Sequence, residues 1–287
     1  MRKRLFAALI CLCLIGTALA ACAAPPSEPS PPGPEPEAPA MRGVVLSVGK
    51  ADATLLWGDD FAVLIDAGEA EDADKILAFL ARHGIRRLDA LILSHYDKDH
   101  VGGAAGLLRG IEVGAVYGTY KTKESEEYDS YLAAVDAVGL SPVIVREDTA
   151  LSFSSLSLTI LPPKAMAYNE KESNNSSLLV RAVYGDTALL LAGDAQEARL
   201  SELDERDTLG CDFLKVPYHG NHVRNLPHLL SLAHPRYAAV TCSQKNPEDA
   251  EKVQMLEEAG ATMYLTRCGN VYLYSDGKTL QVGYTEQ

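Results

Sequence analysis

The feature that most constrains the fold of this chain is a cluster of two histidines and two aspartates directly after a short apolar run. The run covers residues 91–93, and the cluster consists of His95, Asp97, Asp99 and His100. A strand that ends in a turn can direct side chains at these spacings toward one point. Two imidazoles and two carboxylates at one point repel each other or stay hydrated unless a cation lies between them. The spacing predicts a metal site and hydrolytic chemistry; the alternative is a polar surface turn.

The length and charge of the chain limit the classes of function. The 287 residues suit one large domain or two small ones. The formal net charge is -13, which argues against a broad groove that binds nucleic acid by counterion release. This charge does not exclude a phosphodiester substrate that metal ions hold.

The first 22 residues have the pattern of a targeting segment. A basic start at residues 2–4 precedes an apolar run, residues 5–21, that is too short to span a membrane comfortably. The run ends in Leu-Ala-Ala followed by Cys22, which resembles the bacterial lipobox. This resemblance implies a lipoprotein signal peptide over residues 1–22, with the lipid on Cys22 anchoring the protein to the bacterial cell membrane. The alternatives are an ordinary signal peptide or an uncleaved anchor, and each of them also places the domain outside the cytoplasm.

A proline-rich stretch separates this segment from the rest of the chain. Residues 23–42 contain eight prolines, so we predict a disordered, extended linker and, after it, one domain over residues 43–287. A proline-rich motif for a protein partner is the alternative. The domain contains Cys211, Cys242 and Cys268 and no CxxC pair, so neither a disulfide framework nor a cysteine zinc site is indicated. We expect buried thiols; one disulfide and one free thiol are the alternative.

The domain alternates strands and helices. The patterns predict strands over residues 43–48, 54–57, 62–65 and 88–93, and helices over residues 71–83, 100–108 and 124–138. In the last helix an apolar stripe recurs at helical spacing, and we expect it to face the core: Tyr128, Tyr131, Leu132, Val135 and Val138.

Two segments of the domain repeat one pattern. Residues 54–68 and 177–194 each form a strand, a turn, a second strand and an acidic turn, and each is followed by a helix and a strand that ends in His95 or His219. Two such halves would pack sheet against sheet with the helices outside, and their strand ends would meet at one edge. That edge would bring Asp194 and His219 to the first cluster. The alternative is coincidence, since hairpins with Gly-Asp turns are common.

These residues resemble the metallo-β-lactamase fold, an α/β fold in which four layers form an αββα sandwich. The resemblance rests on Asp66 in the first acidic turn, on the cluster at residues 95–100, on Asp194 after a strand and on the late His219. It covers nearly all of the domain in the family's order. The middle position of the cluster carries Asp97 where the family has a second histidine.

A narrower resemblance is to the detached hydrolase domain of the DNA-uptake competence protein ComEC. It rests on the cluster together with the segments at residues 45–53, 173–177, 191–194 and 214–220. The chain departs from that family at several positions. The family usually has glutamine where Lys50 stands and His-His-Gly-Ser where residues 218–221 stand, and a histidine usual in a later loop is absent from residues 243–247. ComEC itself is a large membrane channel, and this chain resembles only its hydrolase domain.

The resemblance implies a two-ion metal site. His95 and Asp97 would hold one ion, while Asp99, His100 and His219 would hold the second, and Asp194 would bridge them. Asp66 would fix a ligand from behind, and the alternative for it is a plain turn aspartate. The catalytic residues would be Asp99, His100 and Asp194, acting on a hydroxide held by the metal. Because the ligands are rich in oxygen, manganese is expected at least as much as zinc, with two weakly held ions or one tight ion.

Candidate contacts to a substrate lie outside the cluster. They are Lys50, Asn174, Asn175, Ser176, Tyr218 and His222. Alternatively, the two asparagines simply favour a turn, Lys50 is an ordinary surface lysine, and His222 is structural or solvated.

The combined expectation is an extracytoplasmic, metal-dependent hydrolase, specifically a phosphodiesterase or nuclease that acts on DNA. Its partners would be a phosphodiester substrate and, through the N-terminal lipid, the membrane; no obligate protein partner is indicated. The alternatives are a phosphodiesterase for small or wall-polymer substrates, a β-lactam hydrolase, and a binding protein without turnover.

Overall fold

A computed structural model of the chain describes residues 40–204 and 208–286. The predicted signal peptide, Cys22 and the predicted linker up to residue 39 lie outside these residues. The first strand begins at Met41, inside the range that the sequence assigned to the linker. Within the described residues, no helix has the length and apolar character needed to cross a membrane.

Two β-sheets form the centre of the described structure. In chain order the strands are β1 (Met41–Val45), β2 (Thr54–Trp57), β3 (Ala62–Ile65), β4 (Arg87–Leu93), β5 (Glu112–Gly118), β6 (Val143–Ile144), β7 (Thr149–Phe153), β8 (Leu156–Leu161), β9 (Leu179–Tyr184), β10 (Thr187–Leu191), β11 (Phe213–Lys215), β12 (Tyr237–Val240), β13 (Thr262–Leu265), β14 (Val271–Ser275) and β15 (Leu280–Gly283). The first sheet has the order β15-β14-β1-β2-β3-β4-β5-β6, and the second has the order β13-β12-β11-β10-β9-β8-β7.

Helices cover the outer faces of both sheets. They are α1 (Ala73–Arg82), α2 (Lys98–Val101), α3 (Ala104–Gly110), α4 (Glu126–Ala137), α5 (Glu172–Asn175), α6 (Glu197–Leu200), α7 (Leu226–Ala233) and α8 (Ala250–Glu258), with 3₁₀ turns at Ala70–Asp72, Pro217–Gly220 and Thr266–Cys268.

The apolar core has three parts, which correspond to the spaces between four layers. One cluster of buried side chains fills the space between the two sheets, and the other two lie between each sheet and its helices. Strands β2, β3 and β10 are buried along their whole length because both of their faces are covered. The predicted αββα sandwich is therefore confirmed.

The glycines after the histidine cluster shape the backbone around His100. The helix predicted over residues 100–108 is split into α2 and α3 at Gly102 and Gly103. A Cβ atom at Gly103 would lie 2.1 Å from the carbonyl oxygen of Ala67, so only glycine allows this approach. The contact holds α2 against the end of β3, where the amide of Ala67 donates to the carbonyl of His100 at 2.8 Å.

The apolar stripe of α4 is only partly buried. Tyr128, Tyr131 and Val135 face the core as predicted, whereas Leu132 and Val138 are 41% and 44% exposed. Leu132 follows Tyr131 by one residue, which turns it about 100° away from the buried face. Val138 is the C-cap residue of α4, beyond the turns that contact α2 and α3.

The two similar halves predicted from the sequence are present. Strands β2 and β3 form an antiparallel hairpin that continues through α1 to the parallel strand β4. Strands β9 and β10 do the same through α6 to β11. The halves meet where the amide of Leu178 donates to the carbonyl of Ser94 at 2.9 Å. The four strand ends that carry Asp66, His95, Asp194 and His219 therefore lie at one edge.

Candidate metal centre

Three histidines and one aspartate meet, fully buried, at this edge: His95, His100, His219 and Asp194. Asp194 Oδ2 lies 3.1 Å from His219 Nε2, and Asp194 Oδ1 lies 3.3 Å from His100 Nε2. The rings of His95 and His100 are 4.2 Å apart between their centroids. The structure thus brings together residues from both halves that the sequence placed in one site.

Hydrogen bonds behind the first two histidines fix which ring nitrogen faces the centre. Asp66 Oδ2 lies 2.8 Å from His100 Nδ1 and also accepts the hydroxyl of Ser94 at 2.8 Å. Because Ser94 donates its proton to Asp66, its oxygen can only accept from His95 Nδ1, which is 3.2 Å away. Both imidazoles therefore donate from Nδ1 and direct Nε2 toward the centre. This supporting position is the one predicted for Asp66.

A similar relay fixes the third histidine. The hydroxyl of Thr241 donates to Asp52 Oδ1 at 2.6 Å, so its oxygen accepts from His219 Nδ1 at 2.9 Å. His219 consequently also presents Nε2 to the centre. Outer hydrogen bonds of this kind set ring orientation in metal sites. The sequence interpretation gave no role to Thr241 or to Asp52.

The inward atoms lack hydrogen-bond partners. Nε2 of His95, His100 and His219, together with Asp194 Oδ1, are buried atoms without a partner in the described structure. Leaving such groups unsatisfied is costly, and native proteins seldom do so without a functional reason. Once Nε2 has lost its proton, each of the three imidazoles is a donor that zinc, manganese and iron accept, as is the carboxylate, so the residues present fit a divalent metal ion.

The two remaining predicted ligands lie on the more open side of the centre. Asp99 Oδ2 is 3.4 Å from His219 Nε2, and the Asp99 side chain is 20% exposed. Asp97 Oδ2 is farther away, 3.9 Å from His95 Nε2. Its other oxygen accepts hydrogen bonds from Lys123 Nζ at 2.7 Å and from Ser173 Oγ. Asp97 is therefore shared between the centre and Lys123.

Besides Thr241, the sequence interpretation missed Asp52 and Lys215. Ligand atoms of Asp52, His100, Asp194 and His219 all lie within 4.8 Å of one another. Lys215 Nζ forms a buried ion pair with Asp52 Oδ2, donates to the carbonyl of Gly193 at 3.2 Å and lies 4.0 Å from Asp194 Oδ1. Both residues belong to segments that carried the ComEC resemblance, and a lysine inside the apolar strand β11 was the available signal.

The charges of the site shift the histidine titrations in opposite directions. Burial lowers the pKa of His95 to about 4, and the neighbouring His100 contributes to this shift. Burial also opposes protonation of His219, but the carboxylates of Asp194 and Asp52 outweigh it and raise the pKa of His219 to about 10. In the same way Asp194, Asp66 and Asp52 overcome burial and raise the pKa of His100 well above its usual value.

The predicted substrate contacts fall into two groups. Asn174 Nδ2 donates to Asp194 Oδ2 at 3.3 Å, and Lys50 lies beside the ring of Tyr218 at the edge of the centre. The Asn175 side chain instead bonds to the backbone at Glu170, Gln196 and Arg199, which makes it a support. His222 is exposed.

The domain cysteines form no disulfide in the described structure. Cys211 is half-buried, Cys242 is buried and Cys268 is exposed. The expectation of buried thiols therefore holds for Cys242 and is wrong for Cys268.

Comparison with known proteins identifies the family and the fold. A model of the metallo-beta-lactamase superfamily matches residues 46–243. The chain is similar to "ComE operon protein 3" of Bacillus subtilis, with 27% identity over 172 residues that cover 60% of this chain and 22% of that protein. It is also similar to "Recombination protein 2" of Haemophilus influenzae, with 28% identity over 207 residues that cover 70% of this chain and 24% of that protein.

The fold is also found among solved structures. The metallo-beta-lactamase fold protein YhfI of Bacillus subtilis superposes with a TM-score of 0.54 at 16% identity, over 85% of this chain and 100% of YhfI. The chain spans about a quarter of the length of the two curated relatives. The resemblance to competence proteins that the motifs indicated is confirmed by "Competence protein ComA" of Neisseria gonorrhoeae, which is 25% identical over 205 residues. The chain belongs to the metallo-beta-lactamase superfamily.

Proposed function

We propose that this protein is a metal-dependent phosphodiesterase that cleaves DNA outside the cytoplasm. One observation carries the proposal: three imidazole Nε2 atoms and Asp194 Oδ1 converge, buried and without hydrogen-bond partners, beside carboxylates that reach solvent. Divalent ions bound there would lower the pKa of water and take up the negative charge that develops on a phosphoryl oxygen.

Asp99 has the position to orient the attacking water. It is the most exposed carboxylate next to His219, with Oδ2 3.4 Å from Nε2. Burial favours its neutral form, but hydrogen bonding to His219 and the charge of His100 outweigh burial and hold the pKa of Asp99 below its usual range. An ionised carboxylate accepts a hydrogen bond from water and directs an oxygen lone pair toward the substrate.

The two sides of the centre would hold their ions with different strength. His100, Asp194 and His219 are buried and fixed from behind, which favours tight binding. Asp97 is shared with Lys123, so an ion on the side of His95 would compete with an ammonium group. We therefore propose two ions, one of them weakly held, with manganese accepted at least as well as zinc.

DNA is proposed because the relatives are named for recombination and competence. The extracytoplasmic location and the lipid on Cys22 remain predictions from the sequence. The net charge of -13 favours a second candidate, a small or wall-polymer phosphodiester, because an acidic surface repels a polyanion.

Hydrolysis by the full chain, titrated with manganese and with zinc, tests the proposal. The substrates are DNA and bis-p-nitrophenyl phosphate. The variant Asp99→Ala should lose both activities, whereas Asp89→Ala should keep them. Asp89 is a similarly exposed carboxylate on β4, but it pairs with Arg87 near the opposite end of that strand. Cleavage of the small diester alone would favour the second candidate, and no hydrolysis of either would contradict phosphodiesterase function.

A further inference from the structure

An aromatic ring flanked by two lysines lies at the edge of the metal centre. Tyr218 directly precedes His219, and the two ring centroids are 6.3 Å apart. Lys50 Nζ lies 5.6 Å and Lys171 Nζ 6.0 Å from the centroid of the Tyr218 ring. These three residues come from three separate loops, so the grouping is a product of the tertiary structure.

The backbone of Tyr218 is fixed beside the ligand histidine, and its half-buried ring packs with one part against the apolar core of the second sheet. Tyr218 and His219 both have left-handed backbone angles, with φ of 52° and 55°, which are costly for residues that carry a Cβ atom. The Tyr218 amide donates to the carbonyl of Gly193 at 3.2 Å. Its own carbonyl accepts from both the backbone amide and the side chain of Asn221 at 2.9 Å. The ring is consequently held close to the ligand histidine.

Most lysines of the loops around the centre are neutralised. Their ion pairs are Lys98 with Glu69, Lys121 with Glu172, Lys123 with Asp97 and Lys171 with Glu197. Lys50 forms no such pair with any residue that the structure describes. A polyanionic substrate would therefore meet few free cations here, and apolar contact with the ring must contribute much of its binding.

Lys171 also lines an open groove of about 430 Å³, together with Glu170 and Glu197. Because two carboxylates face this groove and one of them pairs with Lys171, it does not favour a polyanion. The contacts proposed for a substrate are therefore confined to the ring and Lys50.

We propose that Tyr218 stacks against an unpaired base of a single-stranded polynucleotide while Lys50 contacts a neighbouring phosphate. The inference rests on the proposed phosphodiesterase function and adds a strand preference to it. Aromatic side chains bind bases of single strands through their exposed faces, which a duplex hides. A wall polymer without bases offers no such face.

Binding of a fluorescent oligothymidylate and of a duplex of equal length tests the proposal. Anisotropy is measured with the full chain carrying Asp99→Ala, which is expected to block turnover. The single strand should bind more tightly than the duplex. Tyr218→Leu should weaken single-strand binding about tenfold, the scale of one lost stacking contact, and Tyr218→Phe should keep it.

Salt dependence separates the roles of the ring and the lysine. Each phosphate contact contributes a slope of about −0.7 to log K against log salt for a single strand. Lys50→Gln should reduce the slope by about that amount, while Tyr218→Leu should leave the slope unchanged.

Tyr237 provides a matched control. Its ring also has a cation nearby, since the guanidinium of Arg236 lies 5.4 Å away. Tyr237 is the first residue of β12, whereas the opposite end of this strand leads to Thr241 at the metal centre. Tyr237→Leu should bind DNA normally. Equal binding by the Tyr218→Leu and Tyr237→Leu proteins, or by single strand and duplex, would overturn the proposal. If the unmodified chain hydrolysed neither DNA nor bis-p-nitrophenyl phosphate, the proposed function itself would be overturned, so the two failures are distinguishable.

Discussion

The two halves of the domain place an aspartate at equivalent strand ends, yet the two aspartates do different things. Asp66 follows β3 and reaches His100 from behind, at Nδ1, 2.8 Å away. Asp194 follows β10 and reaches the same ring from the front, 3.3 Å from Nε2. One carboxylate therefore fixes a ligand, while the other is placed to be one. The repeated pattern predicts where each carboxylate lies. Whether that carboxylate supports a ligand or acts as one depends on which nitrogen of His100 it contacts.

The strands that follow differ in charge. Four residues before its terminal histidine, β4 has the buried Leu91 and β11 has the buried Lys215. Lys215 pairs with Asp52, which in turn contacts His219 and Thr241. The second half thus has a buried charge beside the metal centre where the first half has an apolar side chain. Such a charge stabilises the fold only while its partner is present.

The largest effect is expected from removing the front carboxylate. Changes to residues that support a metal ligand lower activity by at most roughly 100-fold. Asp194→Asn removes a ligand itself, so it should lower kcat/KM for a phosphodiester by more than this. Bound metal, measured by mass spectrometry after gel filtration, should fall with it. Asp186→Asn, in the exposed turn before β10, is the control. Full metal content in the Asp194 variant would remove the distinction between the two aspartates.

The next effect concerns the charge unique to the second half. Lys215→Met leaves Asp52 buried without its partner and should lower the free energy of unfolding by about 3–5 kcal/mol. Urea denaturation of the metal-free protein measures this loss. The double variant Asp52→Asn and Lys215→Met should recover part of it, because no charge then stays unpaired. Additive losses in the double variant would mean that the pair is not coupled.

A smaller effect is expected from the rear carboxylate. Asp66→Asn keeps the size of the side chain but weakens its hold on His100 and Ser94, so metal affinity should fall roughly 10- to 100-fold. Competition with a chromophoric chelator measures the affinity. Excess metal should restore hydrolysis in this variant and not in Asp194→Asn. Equal failure of both variants at saturating metal would place Asp66 among the ligands.

The last prediction concerns how the stability of the protein, stripped of metal by a chelator, changes with pH. The two histidines concerned, His95 and His219, follow equivalent strands of the two halves. The pKa of His219, raised to about 10, gives stability that is present below pH 6.5 and is lost as the pH rises through 10. The pKa of His95, lowered to about 4, costs stability as the pH falls from 6.5 to 4. Each slope is at most about 1.4 kcal/mol per pH unit.

Denaturation of the metal-free protein at several pH values, with His95→Gln and His219→Gln as matched variants, checks these signs. His219→Gln should flatten the alkaline limb and His95→Gln the acidic one. An unchanged alkaline limb in the His219 variant would contradict the assignment.

Much of the fold was predictable because its signals are local. Strands β2 and β3 have the predicted bounds, and the repeated hairpins fixed the layered arrangement. The exposure of Leu132 was not predictable, because it depends on the width of the α4 face that packs against α2 and α3. The site was predictable for the clustered histidines and for Asp194, which motifs mark. The roles of Asp52 and Lys215 were not predictable, because they depend on an ion pair that only the folded chain forms.

The sequence by itself determined the layered architecture and the residues able to bind a metal, since apolar periodicity and residue spacing act over short distances. Only the tertiary structure decided which nitrogen each histidine presents, that Thr241 orients His219, and that Lys215 neutralises Asp52. The reason is physical: these outcomes depend on hydrogen bonds and burial between distant segments. The bond from Thr241 to Asp52 joins residues 189 positions apart, and no local pattern specifies such a contact.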